Sequence, residues 1–143
     1  MKILFFIITI VFISSIVNAG PLHNAALAND VSKINSLIKS GTDKNEMNNE
    51  GSWPLLIAAT YGNIEAAQAL IENGADVNKA NKHGYTALHE AAGMADRKMI
   101  LLLLKNNAEI NKRDINQYTA LTYAQLSGSE KIVRLLKRKG AIE

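Results

Sequence analysis

From residue 20 onward, apolar positions fall into pairs of short runs separated by a turn, and the pairs recur. Gly51-Ser52-Trp53-Pro54-Leu55-Leu56-Ile57-Ala58-Ala59 returns as Gly84-Tyr85-Thr86-Ala87-Leu88-His89-Glu90-Ala91-Ala92, then as Gln117-Tyr118-Thr119-Ala120-Leu121-Thr122-Tyr123-Ala124-Gln125. The interval is 33 residues each time, and a step back from Leu55 reaches Leu22 in Pro21-Leu22-His23-Asn24-Ala25-Ala26. Gly74-Ala75-Asp76-Val77-Asn78 likewise returns as Asn107-Ala108-Glu109-Ile110-Asn111, with fainter copies at Gly41 and Gly140. Within each unit, spacings of three and four predict a second helix: Ser32–Ser40, Glu65–Asn73, Arg97–Asn106 and Glu130–Lys139. Their inward faces carry Ile34, Leu37 and Ile38; Ala67, Leu70 and Ile71; Ile100, Leu103 and Leu104; Val133, Leu135 and Leu136.

Before each second helix stand Asn29, Gly62, Ala95 and Gly128, where a helix end calls for positive φ. Ala95 departs from the Asn/Gly pattern. The next residues, Asp30, Asn63, Asp96 and Ser129, are all suited to cap the following helix with a side-chain oxygen. The first helices carry small alanine pairs, which permit close approach between neighbouring units. No unit of this size can bury its apolar face alone, whereas four stacked units share one core.

At these residues the chain resembles the ankyrin repeat, whose mark is T-P-L-H-x-A at a 33-residue period. The resemblance covers Pro21 to Glu143. It implies an all-α repeat fold, an ankyrin-repeat solenoid of four helix-turn-helix units joined by hairpin loops, with repeats at about 20–47, 48–80, 81–113 and 114–143. The terminal units look like caps. The first has no hairpin before it, and the last ends at Ile142-Glu143 without the Asn that closes a hairpin.

Residues 1–19 differ from the rest. Lys2 precedes an apolar run from Ile3 to Val17, and Val17-Asn18-Ala19 offers small residues at the two positions a signal peptidase reads. This pattern predicts a cleaved leader, cut between Ala19 and Gly20. An uncleaved anchor is the alternative, but fifteen helical residues span only about 22 Å against about 30 Å of hydrocarbon. Abundant Ile, Asn and Lys suggest an AT-rich coding genome. With the leader, that favours a bacterial periplasm, or secretion as the alternative.

The chain has no cysteine, so its stability comes from packing without disulfides or thiolate metal sites. Removing Lys2 lowers the formal charge from +3 to +2, too little to point to nucleic acid or a membrane surface as the natural partner. The expectation is a monomer when unbound, with a protein partner and no cofactor.

The search for chemistry points away from catalysis. His23 and His89 occupy the His position of the repeat motif, where the resemblance implies a local, turn-stiffening bond to Thr86 in the case of His89. His83 stands alone near a hairpin tip, and no pair has metal-ligand spacing. No phosphate loop or nucleophile motif appears. Asp43, Glu46 and Glu50 fit a solvated loop. An enzyme with an unrecognised site would have to rest on His83 or the Glu46/Glu50 pair. The basic run Lys131, Arg134, Lys137, Arg138 and Lys139 suits the negative end of a terminal helix dipole, and could otherwise dock an anion.

The three phenylalanines all lie in the leader, leaving Trp53, Tyr61, Tyr85, Tyr118 and Tyr123 as the mature chain's aromatics. The resemblance implies binding through hairpin tips and the adjoining ends of the first helices. Mapped residue by residue, the expected partner surface comprises Met47, Glu50, Ser52, Tyr61, Lys82, His83, Tyr85, Met94, Arg113, Ile115, Asn116 and Tyr118. Tyr85 and Tyr118 share one motif position and are expected to line up, exposed, with truncation of either changing stability little. Trp53 replaces the motif Thr while Leu56 replaces the His. Paired replacement favours packing of Trp53 between hairpin and helix over a role as a binding anchor. The expected role is a non-catalytic exported binding module: an inhibitor, an immunity factor or an accessory subunit of a periplasmic protein. The alternative is a secreted effector that binds a host protein.

Overall fold

The structure, a computed structural model, describes residues 20–142; the expected leader at 1–19 lies outside the described residues. Eight helices follow in four pairs: α1 (Pro21–Leu27) and α2 (Val31–Lys39), α3 (Pro54–Thr60) and α4 (Ile64–Glu72), α5 (Ala87–Gly93) and α6 (Arg97–Lys105), α7 (Ala120–Leu126) and α8 (Glu130–Arg138). The second helices match the sequence expectation to within a residue. No described helix is long and apolar enough to cross a membrane.

Two devices start the first helices. Where the motif Thr is missing, before α1 and α3, Pro21 and Pro54 stand in the first turn, where a missing amide costs nothing. Before α5 and α7, Thr86 and Thr119 accept from the amides of His89 and Thr122, and those side chains reach back to the cap amides. At the turns between paired helices φ is positive at Asn29, Gly62, Ala95 and Gly128 (54°, 67°, 56° and 73°), as the pattern required.

The capping expectation needs correction. Asp30 and Asp96 do cap their own helices, accepting from Lys33 and Met99. Asn63 and Ser129 make no such bond. Asn63 instead donates across the stack to the carbonyls of Ala26 and Leu27, at 2.9 and 2.8 Å. The orphan amide of Ala66 is met by the side chain of Asn29, from the preceding repeat, at 2.9 Å.

First helices stack on first helices, α1 through α7, while α2, α4 and α6 form the layer behind. The core between the layers repeats its register. Leu22, Leu55, Leu88 and Leu121 are all buried, as are Ala58, Ala59, Ala91, Ala92, Leu70, Leu103 and Leu136. Leu37, Ile38, Ile71, Leu104 and Val133 are only partly buried at its margin, whereas Met99 and Ile132, not anticipated, are fully enclosed. Trp53 is 1% exposed and belongs to the same buried core as Leu56, in line with the packing expectation. Its indole N–H has no partner among the described residues.

Candidate functional site

The hairpin tips are built three times over from one local design. Asn48, Asn81 and Asp114 each accept, through Oδ1, from the amides two and four residues ahead: Glu50 and Ser52, His83 and Tyr85, Asn116 and Tyr118. Such short-range bonds are what make Asn and Asp turn formers. The last two tips are also joined, with the Ile115 amide donating to the His83 carbonyl at 2.8 Å. Gly84 allows this approach: a Cβ there would stand 3.1 Å from Asp114 Cα.

Beneath these two tips lies an aromatic cluster. Tyr85 stacks on His89 at 5.4 Å between ring centres, and Tyr123 meets both edge-on at 5.3 and 5.5 Å. Tyr118 adds a further edge contact to Tyr123 at 6.0 Å. Edge-to-face geometry of this kind is favourable beyond the area it buries. Two carboxylates tie the cluster down. The Tyr85 hydroxyl donates to Glu90 at 2.6 Å, and the Tyr123 hydroxyl donates to Asp114 Oδ2 at 2.7 Å.

His89 is locked on both sides. Its Nδ1 lies 3.0 Å from the Thr86 amide nitrogen and 2.9 Å from the Thr86 hydroxyl, while Nε2 donates to the Lys112 carbonyl at 3.0 Å. The local Thr–His bond is therefore present, and the same ring also reaches the next hairpin.

Burial holds the His89 imidazole below its ordinary pKa, outweighing the Lys112 carbonyl, so the ring is neutral at pH 7. Burial raises the Tyr85 hydroxyl well above its ordinary value, helped by Glu90, and raises Tyr123 likewise, helped by Asp114. For Asp114 burial pulls upward, but the bonds from Tyr123, Tyr118 and Asn116 together prevail and hold the carboxyl below its usual value. The cluster thus sets the neutral Tyr123 hydroxyl against an ionised Asp114, and the Tyr85 hydroxyl donates to Glu90. The Tyr85 and Tyr123 hydroxyls and both His89 nitrogens are engaged, which suits a rigid platform.

Against this geometry the expected surface divides. Ser52 is buried, 4% exposed, and is removed from the accessible face: its amide is held by Asn48, and its carbonyl lies 3.2 Å from His23 Nε2. Tyr85 is partly buried, because Tyr123 of the next repeat covers it, so its expected free exposure is also corrected. Tyr118, at the same motif position in the last described repeat, is 41% exposed. Tyr85 and Tyr118 do share one cluster, through Tyr123. Met47, Glu50, Tyr61, Lys82, His83, Met94, Arg113, Ile115 and Asn116 are all exposed. Leu126, at the exposed end of its first helix as expected, is 60% exposed, whereas Tyr123, Glu90 and Asp114 were not expected at the site. The available signal was register: Asp114 stands where earlier repeats have Asn48 and Asn81, and Tyr123 falls where they have Ile57 and Glu90.

Among the described residues no group of three or more His, Asp or Glu could hold a metal ion. The basic run does not stand alone. Lys131, Arg134, Lys137 and Arg138 line an open groove of about 540 Å³ together with Arg97 of α6. A family model described as Ankyrin repeats (3 copies) matches residues 22–114. The fourth helix pair, carrying Tyr123, lies beyond that match and continues the same design. No curated protein matches the chain.

Proposed function

Because the chain belongs to the ankyrin-repeat family, a family of protein–protein interaction modules, we propose that it is an exported, non-catalytic module that binds one protein through its hairpin tips and first-helix ends. The distribution of exposed apolar side chains carries this reading. The large exposed hydrophobics among the described residues are Met47, Tyr61, Met94, Ile115, Tyr118, Leu126 and Ile142. All but Ile142 lie on tips or at the C-terminal ends of first helices, and none lies on a second helix. Tyr61 and Met94 are one repeat apart at the same helix-ending position. A scattered exposed Leu needs no account, but apolar residues confined to one edge of a stack mark a recognition face. The rigid cluster under Tyr118 presents that ring with little ordering cost on binding.

The role within export is an inhibitor, immunity factor or accessory subunit acting on a periplasmic protein. Fractionation separates this from a released host-directed effector, by retention in the periplasm or recovery from the medium. The binding claim is tested by capturing the partner on the purified chain and titrating variants. Tyr118→Ala and Met94→Ala should each weaken binding by about 1–3 kcal/mol, with thermal midpoints nearly unchanged. Gln68→Ala, on the exposed side of α4, should bind as the wild type does. Loss on Gln68→Ala with full binding by the other two would move the interface to the second helices.

A further inference from the structure

The two buried histidines of the motif are not equally satisfied. In the third repeat both His89 nitrogens have partners. In the first, His23 is just as buried, at 1% exposed, and its Nε2 lies 3.2 Å from the Ser52 carbonyl. A carbonyl only accepts, so Nε2 donates to it, and in the neutral ring Nδ1 is then the acceptor. That Nδ1 has no partner among the described residues. It faces Gly20, the N-cap of α1, which stands in the register position of Thr86. A Cβ on Gly20 would lie 3.4 Å from Nδ1 and 3.7 Å from a carboxylate oxygen of Glu46. A buried acceptor and an anion therefore converge on a residue with no side chain to offer them.

We infer that the ligand of this site is the chain's own α-ammonium at Gly20, created by removal of the leader after Ala19. The inference rests on the leader reading proposed above. In an uninterrupted chain Gly20 offers a single amide hydrogen, fixed in direction by the peptide plane. Hydrolysis of the Ala19–Gly20 bond leaves a carboxylate on the released segment and an amine on Gly20, which takes up a proton at neutral pH. The ammonium carries three donors that turn about N–Cα, so one meets His23 Nδ1 while another meets Glu46. A cation at the start of α1 is opposed by the helix dipole, and the Glu46 carboxylate offsets that opposition. Processing thus completes the buried polar network of the first repeat, and full stability of that repeat is reached only after the leader has gone.

The test uses the mature chain made to begin at Gly20 with no added residue; it contains every described helix and the whole buried core. Urea unfolding is compared for the free amine and its α-acetylated form. Acetylation should lower the folding constant about tenfold, as expected for loss of a charge-assisted bond to a buried group. Glu46→Gln should lower it in the free-amine chain and do nothing further in the acetylated one. By nitrogen NMR, acetylation should shift the His23 Nδ1 resonance and leave His89 in place. Superimposable unfolding curves with an unmoved His23 resonance would overturn the contact. Separately, an intact mass from cells showing a start other than Gly20 would overturn its link to processing, whatever the unfolding result.

Discussion

Ala95 holds a left-handed φ of 56° without the freedom of glycine, while Gly62 and Gly128 occupy the same position in other repeats. A side chain in this conformation costs about 1 kcal/mol relative to glycine. Ala95→Gly should therefore be neutral or stabilising by up to about 1 kcal/mol in urea unfolding. A clear loss would mean that the methyl makes contacts worth more than the strain. Tyr85 and Tyr118 now separate. Tyr85→Ala removes a stacked ring and the Glu90 bond, and should cost about 2–4 kcal/mol. Tyr118→Ala removes one edge contact from an exposed ring and should cost less than about 1 kcal/mol. His89 sets a pH dependence whose sign follows from its lowered pKa. Above the ordinary value of 6.5 the ring is neutral folded or unfolded and contributes no slope. As pH falls below that, the unfolded chain takes the proton first, and stability drops until the folded ring titrates. Asp114, also lowered, adds a second loss at more acid pH, as its carboxylate protonates in the folded protein. Thermal midpoints should fall between pH 7 and 5, and His89→Asn should flatten that slope.

At the level of the helix pair, equivalent residues do different jobs. Asp96 caps α6 with its own oxygen, whereas Asn63 spends its amide on two carbonyls of the preceding repeat and leaves the capping of α4 to Asn29. Asp and Asn are near-equal as caps, so Asp96→Asn should change stability by less than about 0.5 kcal/mol. Asn63→Asp would set carboxylate oxygens against the Ala26 and Leu27 carbonyls, and should cost about 2 kcal/mol or more. Equal effects in denaturant titration would show that the cross-repeat bonds carry no weight. A second ladder runs along the hairpins. Asn45, Asn78 and Asn111 accept from the amides of Asp76, Glu109 and Ile142, each in the next unit. The repeat Asn, expected to close its own hairpin, instead joins neighbours.

Over the whole molecule, stability is the sum of four weak units and the interfaces between them, so a residue matters according to its place in the stack. Leu103, fully buried between interior repeats, should cost about 2–5 kcal/mol when truncated to Ala. Val133, half-buried in the last repeat, should cost less than half as much on the same change. Comparable losses by calorimetry would contradict a core that thins toward its end. The recognition face depends on the same order: Tyr123 of the following repeat covers Tyr85, while Tyr118, in the last described repeat, stays exposed.

The 33-residue recurrence, taken alone, determined the helix pairs, the bounds of the second helices to within a residue, the left-handed turn at Ala95 and the inward packing of Trp53. These are local matters: periodicity, turn chemistry and volume act within one unit, and each unit spells them out. Tertiary structure alone decided that Ser52, Tyr85 and Tyr118, one motif position in three copies, are buried, partly buried and exposed. It also decided which Asn caps its own helix and which reaches across, and it brought Asp114 beneath Tyr123. Such outcomes depend on the side chains of the adjoining copy, set against each other only once the units stack.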